Sequence, residues 1–201
     1  RQSLDIDYIN KQSKVKFKFD FFEKFKGIKI INIGRLTSQK DQLTLLKAFK
    51  KLIKFKNSRL LLIGSGEDEI NLKRYVEQNN LNYYVKFIPF TKNPFKYIIK
   101  SDVKVLSSRF EGNPNILLEV ACLNRLIISS DCNVGPREIL QSEKGGFLFK
   151  VGNSEKLFYL LKNLKLNSKK IKNKIKVSYE YVAKNFQKDI SISFIKLIKD
   201  I

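Results

Sequence analysis

Two short segments combine charged side chains with the residues that open turns and helices. Residues 34–40, Gly-Arg-Leu-Thr-Ser-Gln-Lys, carry one glycine and two cations, Arg35 and Lys40, just before a predicted helix. A glycine lets the backbone approach a ligand, and the free N–H groups at a helix N-terminus attract anions. This segment could therefore hold a diphosphate without a metal ion; a plain turn with two surface cations is the alternative.

The second segment, residues 111–119, places two carboxylates eight positions apart in the string Glu-Gly-Asn-Pro-Asn-Ile-Leu-Leu-Glu. Glu111 falls in a predicted loop, whereas Glu119 falls in an otherwise apolar helix. A carboxylate buried among apolar side chains needs a partner, and a ribose diol, which donates two hydroxyl groups, is one such partner. The alternative points Glu119 to solvent and leaves Glu111 as an ordinary loop acid.

The start of the helix in this segment offers a second contact for an anion. Pro114 can open the helix, because the N–H that proline lacks is unpaired in the first turn of any helix. The backbone N–H groups of Asn115 and Ile116 could then face a phosphate.

The composition excludes several kinds of catalytic centre. There is no histidine, so histidine bases and histidine-ligated metals are absent from these 201 residues. Two cysteines, Cys122 and Cys132, are too few for a disulfide framework or a structural zinc cluster. A catalytic cysteine would also lack a histidine base. No metal site is predicted.

Apolar runs bounded by turn residues alternate along the chain with amphipathic helical patterns. Most of the runs are continuous, as expected for parallel strands covered on both faces. The repetition predicts βαβ units and an α/β fold, an open doubly wound parallel sheet of the Rossmann-like kind with C-terminal helices beside it. The predicted strands are residues 28–33, 59–63, 84–88, 102–106, 126–129 and 146–149, and the main predicted helices are residues 41–56, 68–78, 115–123, 171–186 and 189–199.

The same pattern predicts how the chain is organised. Residues 27–163 form the Rossmann-like core, and residues 164–201 form C-terminal helices packed on it. Residues 1–26 are a flanking, inter-domain segment, with a short helix at 4–11 and an irregular Lys/Phe-rich stretch at 15–25 that could cover the sheet.

In open α/β sheets, ligands bind outside the carboxyl ends of the strands. The loops predicted at that edge contain most of the unusual polar residues of the sequence. Their convergence predicts a binding site there. The five loops are residues 34–40, 64–67, 89–93, 107–113 and 130–137.

A Gly-Ser-Gly turn at residues 64–66 is a weaker signal. It follows the second predicted strand rather than the first, and Glu69 stands where a dinucleotide fingerprint would have its third glycine. We therefore interpret it as a tight strand-to-helix turn, which makes a Rossmann dehydrogenase a remote alternative.

The net charge of +21 raises the question of a nucleic-acid partner. Phosphate neutralisation drives non-specific binding, but groove reading favours arginine, and only seven of the 40 cations are arginine. Between Lys156 and Lys176 there are eight lysines and no acid, which predicts a solvated helix face or a contact with an anionic membrane. We expect no nucleic-acid partner; the rival interpretation is a non-enzymatic basic module that binds nucleic acid or anionic membrane.

Residues 111–119 resemble the E-x7-E segment of the group 1 (family 4) retaining glycosyltransferases, in the C-terminal nucleotide-sugar-binding domain of their GT-B fold. Residues 30–40 are similar to the family's first strand with its Gly-Arg and following Lys. Residues 61–67 are similar to its Gly-x-Gly turn, and residues 129–140 to the loop and helix that follow the E-x7-E helix. The resemblance covers most of the chain in the family's order.

The resemblance implies a role for each charged residue. Arg35 and Lys40, beside Gly34, would clamp the donor diphosphate and act in catalysis. Glu111 would approach the transferred sugar as a further catalytic residue, and Glu119 would hold the ribose.

The resemblance also implies the wider reaction. Backbone around Pro89 and Phe90 would contact the base of a nucleoside diphosphate sugar, with UDP as the expected nucleotide. The sugar would pass, with retention and without a metal cofactor, to a glycan or lipid-linked acceptor in polysaccharide or lipopolysaccharide assembly.

The sequence begins at Arg1 and contains no methionine, so we expect a piece of a longer protein. The family's N-terminal acceptor domain is missing from it, and we expect no transfer by these residues alone. We expect a cytoplasmic location, with peripheral contact at the cytoplasmic face of the inner membrane.

Overall fold

The protein is described by a computed structural model over residues 4–132 and 134–186. The helix predicted at residues 189–199 lies outside these ranges. The strands are β1 (Ile28–Ile33), β2 (Ser58–Ile63), β3 (Val85–Ile88), β4 (Val103–Leu106), β5 (Leu126–Ser130) and β6 (Phe147–Phe149). The helices are α1 (Ile6–Ser13), α2 (Gln42–Leu52), α3 (Glu69–Gln78), α4 (Phe95–Ile98), α5 (Asn115–Cys122), α6 (Pro136–Ile139), α7 (Ser154–Lys162) and α8 (Lys169–Phe186).

The six strands form one parallel sheet in the order β3-β2-β1-β4-β5-β6. This confirms the predicted α/β fold. The chain winds outward from β1 to β3, then returns to the other side of β1 and winds outward again through β4, β5 and β6. The strand order therefore reverses between β1 and β4. In open α/β sheets the ligand-binding crevice lies outside the carboxyl ends of the strands at such a reversal.

Helices cover both faces of the sheet, which explains why the strand sequences are continuously apolar. Neighbouring residues of β1 enter opposite cores: Ile30 packs with Phe49 of α2 and Leu157 of α7, whereas Ile31 packs with Leu118 of α5. Successive side chains of a strand point to opposite faces, so both sets must be apolar when both faces are buried.

The Lys/Phe-rich segment at residues 15–25 has no helix or strand, as predicted. Phe19 and Phe22 are buried in the core on the α5 side of the sheet. The ring of Tyr97 lies edge-on to Phe19, with 5.2 Å between ring centroids. The segment therefore covers the sheet through its aromatic side chains.

Several predicted helices have different bounds in the structure, among them the helix predicted at residues 4–11, which is α1 (Ile6–Ser13). The helix predicted at residues 41–56 is α2, which begins at Gln42 because Asp41 is its N-cap: Asp41 has a left-handed φ of 46°, and its carboxylate accepts the N–H of Thr44. The lysine-rich stretch 156–176 is divided between α7 and α8. Most of its lysines are exposed, as both a solvated face and a contact with an anionic membrane require.

Candidate functional site

The five predicted loops all lie at the carboxyl edge, because every strand of the sheet is parallel. The loop after β1 (residues 34–40, the first loop) and the loop after β4 (residues 107–113, the fourth loop) flank the crevice where the strand order reverses. Most charged residues singled out in the sequence belong to these two loops or to α5, which follows the fourth. The fold therefore brings them to the position where open α/β sheets bind ligands.

The first and fourth loops are joined by hydrogen bonds that end on backbone carbonyls. Ser107 donates its hydroxyl to the carbonyl of Lys40 at 2.9 Å. The backbone N–H of Arg109 donates to the carbonyl of Gln39 at 2.8 Å. The side-chain amide of Gln39 donates to the carbonyl of Phe110 at 3.1 Å. These bonds fix the spacing of the two loops without using their cationic side chains.

Lys40 and Glu111 form an ion pair across the crevice. The ammonium of Lys40 lies 2.7 Å from Oε1 of Glu111, and the two side chains are only 19% and 7% exposed. The hydroxyl of Ser108 donates to the same oxygen at 2.5 Å. Two residues 71 positions apart are thus brought into direct contact, in a pairing that their separate predicted roles did not include.

Arg35 is held differently from Lys40. Its side chain is exposed and forms no hydrogen bond or ion pair with residues 4–132 and 134–186, whereas its carbonyl accepts the amide of Gln42 at 2.8 Å. The backbone is therefore fixed at the first loop while the guanidinium stays free for an anion.

The Gly-Ser-Gly turn supports the first loop from the side of β2. A Cβ atom on Gly64 would lie 2.0 Å from the carbonyl oxygen of Gly34, and one on Gly66 would lie 2.3 Å from that of Leu36. The N–H of Leu36 also donates to the carbonyl of Ser65 at 3.0 Å. The predicted tight turn is present, and its glycines allow two loops to pack backbone against backbone.

One contact at the start of α5 differs from the prediction. The N–H of Asn115 donates to the carbonyl of Asn113 at 2.9 Å, so in this structure it is not free to face a phosphate. The cause is the conformation of Pro114, whose ψ of 76° brings the carbonyl of Asn113 next to the N–H of Asn115 as the chain enters the helix. Of the two predicted backbone contacts, Ile116 remains a candidate.

Glu119 is partly buried on α5, and its carboxylate makes no hydrogen bond or ion pair with any described residue. Burial raises the pKa of Glu119 to about 7, and the positive charge of Lys104 acts in the opposite direction. This is the unpartnered carboxylate that the apolar helix pattern predicts.

Lys104 was missed by the sequence reasoning. It is fully buried in β4, and its ammonium donates to the carbonyl of Ile33 at 3.1 Å. Burial and, to a smaller extent, the charge of Lys40 lower the pKa of Lys104 to about 7, against the opposing effects of Glu111 and Glu119. The sequence did contain a signal for this residue, because Lys104 interrupts an apolar strand that is predicted to be covered on both faces.

Pro89 and Phe90 follow β3, one strand beyond the glycine turn, and both are exposed. The N–H of Gly64 donates to the carbonyl of Ile88 at 2.9 Å, which ties this loop to the turn that supports the first loop. An exposed aromatic ring at this edge can stack on a flat partner.

The environments of the two cysteines do not favour the thiolate form that a nucleophile needs. Cys132 donates to the carbonyl of Ser108 at 3.1 Å below the fourth loop. Burial raises the pKa of Cys132 and raises that of Cys122 to about 12. Both thiols are therefore protonated at neutral pH.

A model of the family described as "Glycosyl transferases group 1" matches residues 13–180. The chain belongs to this family. The match spans all six strands and the whole carboxyl edge, so the site described above is the corresponding part of a group 1 glycosyltransferase.

Two curated glycosyltransferases are similar to this chain in sequence. An uncharacterised glycosyltransferase of Methanocaldococcus jannaschii is 40% identical over 143 residues, which are 71% of this chain and 34% of the relative. The N-acetylgalactosamine-N,N'-diacetylbacillosaminyl-diphospho-undecaprenol 4-alpha-N-acetylgalactosaminyltransferase of Campylobacter jejuni is 29% identical over 79% of this chain and 43% of its own length. The chain thus aligns with about two fifths or less of these two relatives.

Solved structures show the same fold at lower identity. The C-terminal domain of a group 1 glycosyltransferase from Francisella tularensis superposes with a TM-score of 0.77 at 20% identity, covering 93% of this chain and all of that one. HepE of Anabaena in complex with UDP-glucose superposes with a TM-score of 0.79 at 18% identity, covering 92% of this chain and 52% of that one. No helix among the described residues of this glycosyltransferase is long and apolar enough to cross a membrane.

Proposed function

We propose that this chain is the donor-binding part of an enzyme that transfers a sugar from a nucleoside diphosphate sugar to a glycan or lipid-linked acceptor. The observation that carries the proposal is the arrangement at the crevice: Arg35 is free, and Lys40 is paired with Glu111 where the strand order reverses. The crevice thus carries two cations, which would bind a diphosphate, and a carboxylate, which would bind the attached sugar.

Arg35 and Lys40 would bind the donor diphosphate. When the bond between the sugar and the phosphate breaks, negative charge builds on the departing phosphate, and fixed cations that stabilise this charge lower the barrier. Gly34 allows the phosphate to approach the first loop, and the N–H of Ile116 adds a donor at the start of α5. With these groups in place, we propose that transfer needs no metal ion.

Glu111 and Glu119 would bind the two sugars of the donor. Lys40 would exchange its contact with Glu111 for the diphosphate, which leaves the Glu111 carboxylate to orient the transferred sugar. The unpartnered Glu119 carboxylate would accept both ribose hydroxyls. Backbone around Pro89 and Phe90 would contact the base.

UDP is the proposed nucleotide, in keeping with the UDP-glucose complex of the Anabaena structure. We propose retention of the anomeric configuration and an acceptor used in surface polysaccharide or lipopolysaccharide assembly at the cytoplasmic face of the membrane. The Campylobacter relative, whose name specifies an undecaprenol-linked acceptor, supports the lipid-linked class. We assign no protein nucleophile.

Calorimetric titration of the chain with UDP, GDP and ADP, with and without magnesium, tests this proposal. We expect metal-independent binding of UDP and at least about thirtyfold weaker binding by Glu119→Ala, because two hydrogen bonds to a charged group are lost. Glu77→Ala, at an exposed acid near the end of α3, is the matched control and should bind as the unsubstituted chain does. Binding of none of the three nucleotides by the folded chain would contradict the proposal.

A further inference from the structure

A second charged surface lies on the helices that follow β6, away from the donor site. From Lys156 to Lys176 the sequence has eight lysines, no arginine and no acid. These residues form most of α7, the loop after it and the start of α8. The stretch therefore concentrates positive charge that its own sequence does not neutralise.

A groove of about 400 Å³ opens between α7 and α8 within this stretch. Its lining includes four apolar side chains that are buried or partly buried and three lysines that are exposed. The apolar side chains are Phe147, Leu160, Leu164 and Ile171, and the three lysines, called the rim lysines below, are Lys156, Lys165 and Lys170. The groove thus has an apolar floor and a basic rim.

The fold does not use the charges of the rim lysines. None of the three ammonium groups forms an ion pair or a hydrogen bond with residues 4–132 and 134–186. Lys174 of α8 differs, because its ammonium donates to the carbonyl of Gly146 at 2.8 Å and so joins α8 to the start of β6. The rim lysines are therefore available to an anionic partner, whereas Lys174 is part of the fold.

Exposed aromatic rings accompany these lysines. Tyr159 lines the groove and is 54% exposed. Phe55, which is 59% exposed, packs on Phe158 of α7 with 5.6 Å between ring centroids, and the ammonium of Lys162 lies 4.0 Å from the centre of its ring. Tyrosine rings and lysine stems, whose charged ends stay in water, are typical of the boundary between lipid and water.

We propose that the groove and its rim lysines dock on an anionic phospholipid surface. Lipid phosphates would pair with the rim lysines, while Tyr159 and the apolar floor would contact the boundary between headgroups and acyl chains. A nucleic acid fits this surface less well, because the stretch has no arginine and the apolar floor would face a polar backbone.

Docking at this groove does not depend on donor binding. Phe147 is the first residue of β6, so the groove lies at the amino end of that strand, whereas the donor site lies at the carboxyl ends of β1 and β4. A membrane bound at the groove would therefore leave the donor site uncovered.

Co-sedimentation with lipid vesicles tests this docking surface. We expect the chain to bind vesicles of phosphatidylcholine and phosphatidylglycerol in equal parts, and to bind phosphatidylcholine vesicles much more weakly. The rim variant, with Lys156→Gln, Lys165→Gln and Lys170→Gln, should bind the mixed vesicles about a hundredfold more weakly. Each lysine near an anionic surface contributes about fivefold in affinity, and three are lost.

The matched control removes the same charge from the opposite face of the sheet. Lys14, Lys16 and Lys18 are exposed in the N-terminal segment, which packs on the core of the α5 side, whereas α7 packs on the other core. Substituting all three with glutamine should weaken vesicle binding by less than about threefold, because charges more than a Debye length from the membrane are largely screened.

A second pair of variants tests the apolar part of the contact. Tyr159→Ser should weaken binding to the mixed vesicles by roughly threefold or more, because the ring no longer enters the interface. Tyr8→Ser, at a 52% exposed tyrosine of α1, is its control and should bind as the unsubstituted chain does.

Equal binding to both kinds of vesicle, or equal losses in the two triple variants, would overturn the proposal. A loss of DNA binding in the rim variant that exceeds its loss of vesicle binding would overturn it in favour of a nucleic-acid surface. A dimer of the unsubstituted chain that the rim variant abolishes would assign the groove to a second copy instead. If the rim variant does not fold, equal vesicle binding by Tyr159→Ser and Tyr8→Ser would overturn the proposal.

UDP titration separates this surface from the proposed function. The rim variant should bind UDP as the unsubstituted chain does, because the groove and the donor site lie at opposite ends of the strands. Failure of the unsubstituted chain to bind UDP would overturn the proposed function and leave the vesicle result standing.

Discussion

The contact between Lys40 and Glu111 sets the state of the site before a ligand binds. Both side chains are largely buried, and Ser108 donates a further hydrogen bond to the carboxylate. Removing one member of a buried pair leaves the other charge without compensation, which costs more than the pair itself contributes. Each member of the pair therefore compensates the buried charge of the other.

Substitution Lys40→Met should lower the free energy of unfolding by about 2 kcal/mol, because Glu111 stays buried with Ser108 as its remaining side-chain partner. Lys40→Met combined with Glu111→Gln should recover at least half of that loss. Urea denaturation of the single and double variants measures the coupling. Additive losses in the double variant would show that the two residues do not interact.

At the scale of elements, the turn between β2 and α3 determines where the first loop lies. The backbone of Gly64 packs against the carbonyl of Gly34, and that of Gly66 packs against the carbonyl of Leu36. Leu36 donates its N–H to the carbonyl of Ser65 and accepts the N–H of Asp68 at its own carbonyl. A side chain at either glycine would push the two loops apart. The turn thus holds the loop that carries Arg35 in place.

Gly64→Ala should therefore weaken UDP binding by at least tenfold and lower the melting temperature. The added Cβ would lie 2.0 Å from a backbone oxygen, and φ at Gly64 is +145°, which an L side chain rarely adopts. Gly112→Ala is the matched control for stability, because a Cβ atom there meets nothing within 4 Å. We expect its melting temperature to be within about 2 °C of the unsubstituted chain, since surface changes are usually small. Equal melting temperatures for both variants would contradict this account of the turn.

At the scale of the whole molecule, positive charge is spread over the surface while the site uses only a few cations. The net charge is +21, and most lysines of the stretch 156–176 are exposed on α7, α8 and the loop between them. Such a surface attracts any polyanion weakly and without regard to sequence. The crevice, in contrast, presents fixed charges of both signs to a ligand.

Salt separates these two kinds of binding. A protein that contacts six to ten phosphates of DNA loses about 10³ to 10⁵ in affinity between 50 and 200 mM salt. We expect such a steep loss for any binding of this chain to DNA, and less than about tenfold for UDP over the same range. Fluorescence anisotropy with labelled DNA and calorimetry with UDP provide the comparison. Glu119→Ala should weaken only the second, and a UDP affinity as salt-sensitive as that for DNA would favour the basic-module interpretation.

The segments that flank the sheet pack through contacts between residues far apart in the sequence. The N–H of Leu4 donates to the carbonyl of Phe186 at 2.6 Å, which joins the N-terminal segment to the last described residue of α8. Phe19 and Phe22 enter the same core as Val182 of α8. Neither contact follows from local pattern, because aromatic residues in an irregular segment do not specify their partners.

Much of the fold could be predicted because it depends on local pattern. Continuous apolar strands alternating with amphipathic helices are compatible with few arrangements other than a parallel sheet covered on both faces. Helix bounds were less certain, since capping decides them: the side chain of Asp41 determines where α2 begins. The four-residue helix α4 gave no pattern long enough to be predicted, and α7 was not predicted either, whereas α6 lies in residues 129–140, where the family resemblance implies a helix.

The sequence by itself determined the fold class, the edge of the sheet that carries the site, and the residue types available there, because these follow from periodicity and from loop positions. Only the tertiary structure decided which charges meet. The ion pair of Lys40 with Glu111 and the hydrogen bond from buried Lys104 to the carbonyl of Ile33 join residues from different βαβ units. Electrostatic energies and pKa values depend on distance and burial, and neither quantity exists until the strands have paired.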